Sequence, residues 1–288
     1  MRALLRCAAA CLLAPAAAFA APPVTVYAAG DIARCADPDP RWSGAAATAA
    51  LVEAGLAADP RAAVLALGDL AYGRGTAADF ANCYGPTWGR FKDRTWPAPG
   101  NHEYATRGAA PYFAYFGAAA GRGYYSFQLG SWRLFSLNSN LAPAEHAAQL
   151  AWLREELARH PARCTLAYWH HPLYSSGLKG NDDRMKDAWQ ALYAAGAELV
   201  LSGHDHVYER FAPQDADGRR DDARGIRQFV VGTGGAFATP LLWPRTNSET
   251  ADSNSTGVLK LVLGDDGYSW QFLAATGNGA DHGTAKCH

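Results

Sequence analysis

Residues 63–72 read Ala-Val-Leu-Ala-Leu-Gly-Asp-Leu-Ala-Tyr. The first five are apolar, as in a strand buried on both faces, and Gly68 then lets the chain turn sharply. Asp69 is thereby aimed into whatever crevice opens beyond the strand. The same arrangement recurs along the chain. The β-rich run 24–29 ends at Gly30-Asp31, the run 164–169 at His170-His171-Pro172, and the run 198–201 just before Gly203-His204-Asp205-His206. Gly100-Asn101-His102-Glu103 follows a short extended segment. Between these runs lie segments of helical period at 43–58, 76–91, 144–160 and 183–195. Leu150, Leu153 and Leu157 share one face of the third, and Gly196 ends the fourth. Strands alternating with helices predict an α/β fold. Ligands of such folds gather at the carboxyl ends of the strands, so the five polar groups can converge on one site.

Later the pattern becomes strand after strand: 124–129 with 132–137, then 226–231, 257–263 and 268–273. Gly130-Ser131 and Asp265-Asp266-Gly267 supply hairpin turns. The charged stretch 213–225 reads as a surface loop, and 240–255 as a long loop near one end of the sheet. There is no internal repeat. The 288 residues are 49% hydrophobic and 18% charged, with no apolar run near twenty residues after the first twenty positions, which describes one sizeable globular domain. Residues 1–20 place Arg2 and Arg6 before an Ala/Leu-rich segment that ends in Ala18-Phe19-Ala20. That is the form of an export signal, leaving 21–288 as a single domain, secreted or periplasmic. A buried N-terminal helix would be interrupted by Pro15 and by Pro22-Pro23. Without residues 1–20 the chain keeps 24 basic against 27 acidic side chains, a balance that argues against a nucleic-acid partner, and no membrane association is expected. Four cysteines remain, Cys35, Cys83, Cys164 and Cys287. They allow two disulfides in any of three pairings, or four buried thiols.

Taken singly, each polar group is a weak signal. A Gly-Asp at a strand end is usually a turn, and Asn101-His102-Glu103 would serve as a helix cap. His204 and His206 say more, because residues two apart in an extended segment face the same way and both rings can reach one centre. The conjunction decides: five of the nine histidines fall inside three of the groups, and Asp31, Asp69, Asn101 and Tyr72 accompany them. His146, His160, His282 and His288 match no group and read as surface histidines.

The order Gly30-Asp31, Gly68-Asp69-Leu70-Ala71-Tyr72, Gly100-Asn101-His102-Glu103, His170-His171-Pro172 and Gly203-His204-Asp205-His206, continued by Val207-Tyr208-Glu209-Arg210, resembles the purple acid phosphatases. More broadly it resembles the calcineurin-like metallophosphoesterases, over most of residues 24–210. The resemblance implies two mixed β-sheets packed face to face with flanking helices, an αββα arrangement. It implies one metal held by Asp31, Asp69, Tyr72 and His206, and a second held by Asp69, Asn101, His170 and His204, with Asp69 bridging. His170 is selected over His171 as the histidine of a His-X-Pro unit. The expected cofactors are two metal ions, iron plus iron, zinc or manganese, since imidazoles and oxygens suit these ions and a Tyr72 phenolate favours ferric iron. The expected reaction is hydrolysis of small phosphate monoesters through a metal-bound hydroxide. Alternatives are a phosphodiesterase of the same fold and a protein that binds metal or phosphate without catalysis. His102 is expected to face the substrate as a proton donor, or else to orient Asp69 or a water molecule.

The sequence departs from the family in two places. Where familiar members offer further histidines to the substrate, this chain reads Ser175-Ser176-Gly177-Leu178-Lys179-Gly180. The extra β domain that precedes the metal domain in larger members has no room before residue 24, so the short type is expected. Cys35 and Cys83 follow expected ligands in loops that must meet at the site, so they are expected to pair. Glu209 and Arg210 are expected to support the site or lie on the surface, and Glu103 to hydrogen-bond a ligand or cap a turn. Gly232-Thr233-Gly234-Gly235 ends a strand and is expected to be an ordinary turn, the alternative being that it approaches the site.

Overall fold

Alternation along the strands sorts the apolar side chains of this chain into two cores. The computed structural model describes residues 22–36, 39 and 43–288, so the expected export signal at 1–20 lies outside the described residues. In chain order the strands are β1 (Val24–Ala29), β2 (Ala33–Arg34), β3 (Ala63–Leu67), β4 (Ala71–Tyr72), β5 (Thr95–Ala98), β6 (Tyr125–Leu129), β7 (Trp132–Ser136) and β8 (Cys164–Tyr168). They continue as β9 (Leu199–Ser202), β10 (Tyr208–Phe211), β11 (Arg227–Val231), β12 (Ser248–Asp252), β13 (Thr256–Leu263), β14 (Gly267–Thr276) and β15 (His282–Lys286). One sheet runs β15-β14-β13-β1-β3-β5 and the other β12-β10-β11-β9-β8-β7-β6. Both are mixed. β1, β3 and β5 are parallel in the first sheet, as are β7, β8, β9 and β11 in the second, and antiparallel strands complete each.

Leu166, Tyr168, Leu199, Leu201, Phe229 and Val231 point into the core shared with Val26, Val64, Leu259 and Leu261 of the first sheet. Their neighbours Ala167, Val200 and Val230 point the other way. They meet Leu153, Trp189 and Leu192 from the helices Pro143–Arg159 and Lys186–Ala194. The helix Gly44–Ala58 covers the first sheet, packing on β13 and β14. Its amino end is capped by the Ser43 hydroxyl, which accepts from the Ala46 amide at 3.2 Å. The architecture is the expected αββα sandwich.

Three sequence expectations need correction. The segment 76–91 is not one helix; it breaks into the turns Ala77–Asp79, Phe80–Tyr84 and Trp88–Arg94 around Gly85-Pro86, where proline cannot donate a helical hydrogen bond. The stretch 240–255 is only partly loop, since Ser248–Asp252 alternates in burial and pairs with β10 at the sheet edge. β15 was not expected: His282–Lys286 is too polar to read as a strand, and it adds to β14 as an exposed edge.

Cys35 pairs with Cys83 and Cys164 with Cys287. The first disulfide has the expected pairing and ties the chain after β2 to the Phe80–Tyr84 turn. The second anchors the last residues of the chain to the start of β8. Replacing Cys164 and Cys287 together by Ser should lower stability by about 2–4 kcal/mol, typical of a native disulfide. Urea unfolding of the non-reduced proteins would measure this, and a loss under about 0.5 kcal/mol would show that the bridge constrains little.

Candidate metal centre

All five polar groups lie beyond the carboxyl ends of parallel strands: Asp31 after β1, Asp69 after β3, Asn101 after β5, His170 after β8 and His204 after β9. The turns that aim them rest only partly on glycine: Gly68 adopts φ 86°, as the sequence suggests, but Gly30, Gly100 and Gly203 do not turn left-handed. Asp31, Asp69 and His204 themselves adopt left-handed backbone angles, φ 59°, 51° and 70°, and Ala109 is the one other non-glycine residue to do so among the described residues. Such conformations cost of order 1–3 kcal/mol each and persist where the surroundings enforce them. At Gly203 and Gly100 the requirement is space. A Cβ on Gly203 would stand 2.5 Å from Asp31 Oδ2, and one on Gly100 would stand 2.2 Å from Asp69 Oδ1.

The donor atoms form two groups that share one oxygen. Asp31 Oδ1 lies 2.7 Å from Tyr72 Oη and 3.1 Å from His206 Nε2, and Tyr72 Oη lies 3.0 Å from His206 Nε2. In the second group His170 Nε2 lies 3.1 Å from Asn101 Oδ1 and 3.2 Å from His204 Nδ1. Asp69 Oδ2 stands between them, 3.3 Å from Tyr72 Oη and 3.1 Å from His170 Nε2. Ligands about 2.0–2.2 Å from an ion and at right angles to one another are separated by roughly 3 Å, so both groups fit coordination shells with Asp69 at their junction.

The surrounding backbone leaves these atoms free. Asp31 Oδ2 accepts from the His204 amide and Asp69 Oδ1 from the His102 amide, each at 2.7 Å, so each carboxylate turns its other oxygen to the cluster. His170 Nδ1 donates to Leu67 O and His206 Nδ1 to Phe237 O, which directs Nε2 of both rings inward. His171 is buried beside the cluster with its ring centroid 4.3 Å from that of His204, but its Nδ1 is held by the Ser139 hydroxyl at 2.7 Å. His170, His171 and His204 offer ring nitrogens close together, yet only the His170 ring reaches the carboxylate and amide oxygens, and His204 Nδ1 lies against its Nε2. His170 thus joins the set and His171 backs it.

Electrostatics point the same way. Burial works against charge on Asp31, but the His206 and His170 rings hold its carboxyl well below the usual range. Burial also opposes charging of His170, and Asp69 overcomes it, lifting the ring to about 9. Burial and then the neighbouring His170 push His204 down to about 3, leaving a neutral ring with a lone pair. The Tyr72 phenol is raised well above its usual value by burial, then by Asp31 and Asp69. Two buried carboxylates thus rely on protonated imidazoles for compensation, and cations would replace those protons.

Two supports were under-read in the sequence. Glu103 is fully buried and accepts from the amides of Asp69 and Leu70 at 2.9 Å and of Gly100 at 2.8 Å, so it holds the backbone that presents Asp69. Burial, then Asp69, raises its carboxyl to about 7. Asp205 points away from its histidine neighbours in the bend after β9 and accepts from the Ser175 hydroxyl and the amides of Lys179 and Gly180. It fixes the 175–180 loop over the site. The glycine turn at 232–235 is not remote: a Cβ on Gly232 would meet Asp31 Oδ2 at 2.9 Å. Glu209 accepts from the Ser176 amide at 2.8 Å, supporting the same loop, and Arg210 pairs with Asp281 at the sheet edge. Of the remaining histidines, His146 bonds Asp187 and His288 bonds Glu198.

The family model for calcineurin-like phosphoesterases matches residues 24–208, nearly two thirds of the sequence. The chain belongs to that family. Among calcineurin-like phosphoesterases it is similar to purple acid phosphatase 15 of Arabidopsis thaliana, 30% identical over 189 residues that cover 51% of this chain and 35% of that protein. Probable purple acid phosphatase 20 of the same plant is 29% identical over 199 residues, 58% of this chain and 44% of the relative. The chain therefore spans less than half the length of these relatives. In fold it resembles purple acid phosphatase PPD1 from yellow lupin, with TM-score 0.74, 18% identity, and coverage of 92% of this chain and 54% of that one. GAP50, the anchor in the inner membrane complex of Plasmodium, superposes with TM-score 0.70 at 14% identity over 92% of this chain and 88% of GAP50. A binuclear metal centre is what the purple acid phosphatase kinship implies, and the candidate ligands for it are gathered here.

Proposed function

We propose that this calcineurin-like phosphoesterase is an exported phosphatase that hydrolyses small phosphate monoesters at a two-metal centre. Asp31, Asp69, Tyr72 and His206 would hold one ion, and Asp69, Asn101, His170 and His204 the other. The carrying observation is the position of Asp69 Oδ2, within 3.3 Å of a donor from each group. Bound there, iron with iron, zinc or manganese would supply Lewis-acid activation of water and of the phosphoryl group. The residues of the chain do the rest. Tyr72 and the imidazoles orient the donors, Glu103 keeps Asp69 in register, and His102 holds a proton over the cleft. His102 Nδ1 donates to Gly73 O, so its Nε2 is the atom left to face a departing oxygen. Two disulfides suit an oxidising compartment, which supports export. No helix among the described residues is long and apolar enough to cross a membrane.

The fold alone does not carry this reading, because GAP50, the anchor in the inner membrane complex of Plasmodium, shares the fold. Metal analysis of protein purified from its own host, coupled to a panel of monoesters and diesters, tests it. Two ions per chain with monoester turnover above diester turnover is the expected result. Tight phosphate binding without turnover of either would replace it with a binding role.

Tyr72 gives a spectroscopic check. With ferric iron bound, charge transfer from its phenolate should colour the oxidised protein, and Tyr72→Phe should abolish the colour while a divalent ion is retained. The ring stays, so stability should change by no more than the ~0.5–3 kcal/mol common for point substitutions. An unchanged visible spectrum would remove Tyr72 from the ligands.

A further inference from the structure

The cleft over the candidate centre has a volume of about 120 Å³ and is lined by Asp69, Tyr72, Asn101, His102, His204 and His206 on its floor. Leu178, Lys179, Phe237 and Thr239 form its rim. Four large apolar side chains stand exposed among the described residues: Leu178 (44%), Phe237 (49%), Leu242 (45%) and Trp243 (55%). Leu178 and Phe237 line this cleft, whereas Leu242 and Trp243 lie outside its lining, on the segment that follows Phe237. The amides of Leu242 and Trp243 both donate to Ser176 O, at 2.8 and 3.0 Å, which fastens that segment to the loop carrying Leu178. The Trp243 ring reaches within 3.6 Å of the position a Cβ would take on Gly180. The Phe237 ring begins at the floor, its centroid 4.2 Å from that of His206, and continues outward with the Arg34 guanidinium 5.9 Å away.

Exposed aromatic rings cost solvation free energy unless something covers them, and here their positions are fixed from below. Ser175, Lys179 and Gly180 bond buried Asp205, and Phe237 O accepts from His206 Nδ1 at 2.7 Å. An apolar patch built at the mouth of a polar pocket is the arrangement of a site whose ligand is charged at one end and flat and apolar at the other. A polyanionic leaving group would need several cations. Lys179 is the sole lysine or arginine among the described residues lining the cleft.

We propose that Phe237, with Leu178, forms a leaving-group subsite that selects phosphate monoesters whose alcohol carries an aromatic ring. The inference rests on the phosphomonoesterase reading above. In the reaction water adds to phosphorus, the P–O bond to the ring-bearing alcohol breaks, and that alcohol leaves with a proton while inorganic phosphate remains on the floor. Neither product requires an oxidant or a co-reactant.

A matched pair of esters separates the two claims. 2-Phenylethyl phosphate and propyl phosphate both release primary alcohols of similar acidity, so their ratio of kcat/KM reads recognition of the ring and not intrinsic reactivity. The parent metal-loaded protein should favour the phenylethyl ester by about tenfold or more, each tenfold being about 1.4 kcal/mol. Phe237→Ala and Leu178→Ala should each lower that ratio to within about threefold of unity, whatever either does to absolute turnover. Calorimetry with 2-phenylethylphosphonate and propylphosphonate should show the same preference in binding. Turnover of both esters at equal kcat/KM would overturn the subsite and leave the phosphatase reading standing. A parent preference that survives both substitutions would also overturn it. Turnover of neither ester would overturn both readings together.

Discussion

Asp69→Asn is expected to lower phosphatase turnover by about a thousandfold or more and to reduce bound metal below two ions per chain. The side-chain oxygen between the two donor groups is 3.3 Å from Tyr72 Oη and 3.1 Å from His170 Nε2, and the other oxygen already accepts from the His102 amide. An asparagine that keeps this amide bond must turn its NH2 toward the cluster, where every neighbour is arranged for a lone pair. If it flips instead, it loses the bond to His102 and sets a second donor against that amide. In both orientations a buried negative charge that faces two cations disappears at once. The substitution is nearly isosteric, and Glu103 still holds the Asp69 and Leu70 amides, so the fold should survive. Metal counting by mass spectrometry and steady-state kinetics check both halves. A variant with two ions and turnover within about tenfold of the parent would end the bridging assignment.

The strand cores were legible because burial on both faces leaves continuous apolar runs. Val24–Ala29 and Ala63–Leu67 lie where the sequence places them. The groups at the strand ends were legible for a related reason: a polar side chain straight after such a run has the crevice beyond the sheet to enter. Polar edge strands were not legible. Ser248–Asp252 and His282–Lys286 gain their pairing from β10 and β14, a tertiary contribution absent from local composition. The supports of the site were partly hidden in the same way. Nothing near Glu103 in the sequence announces that its carboxylate reaches back 34 residues to the Asp69 amide. Asp205 was no easier to read, since residues 204–207 form a bend with His204 left-handed and not the extended segment that alternation assumes. Conversely, of the glycines before the candidate ligands only Gly68 supplies the sharp turn, and Gly100 and Gly203 serve space instead. They make room for Asp31 and Asp69, while the strained conformations fall on the candidate ligands themselves.

His102→Ala should retain two metals and yet slow the hydrolysis of esters with poor leaving groups by about 10²–10⁴-fold, the usual contribution of a positioned proton donor. The ring is not set among the donor atoms as His170 and His206 are. Its Nε2 stands 3.8 Å from Asp69 Oδ2, beyond hydrogen-bond reach, and its Nδ1 is committed to Gly73 O. It packs against Tyr72 with centroids 4.3 Å apart and lines the cleft with a third of its side chain exposed, so its position is fixed while a proton can still be exchanged with solvent. A proton donor matters in proportion to the charge that develops on the departing oxygen. An alkyl ester whose alcohol is a weak acid should therefore suffer the full loss, and a nitrophenyl ester, whose phenolate leaves unaided, should suffer little. The His102 amide is unaffected by the substitution and still holds Asp69 Oδ1, which separates proton donation from support of the bridging carboxylate. Equal losses on both esters would mean that the ring positions substrate or water instead of protonating the leaving group. Loss of metal would mean that it ligates, against the 3.8 Å gap that now separates it from the nearest carboxylate.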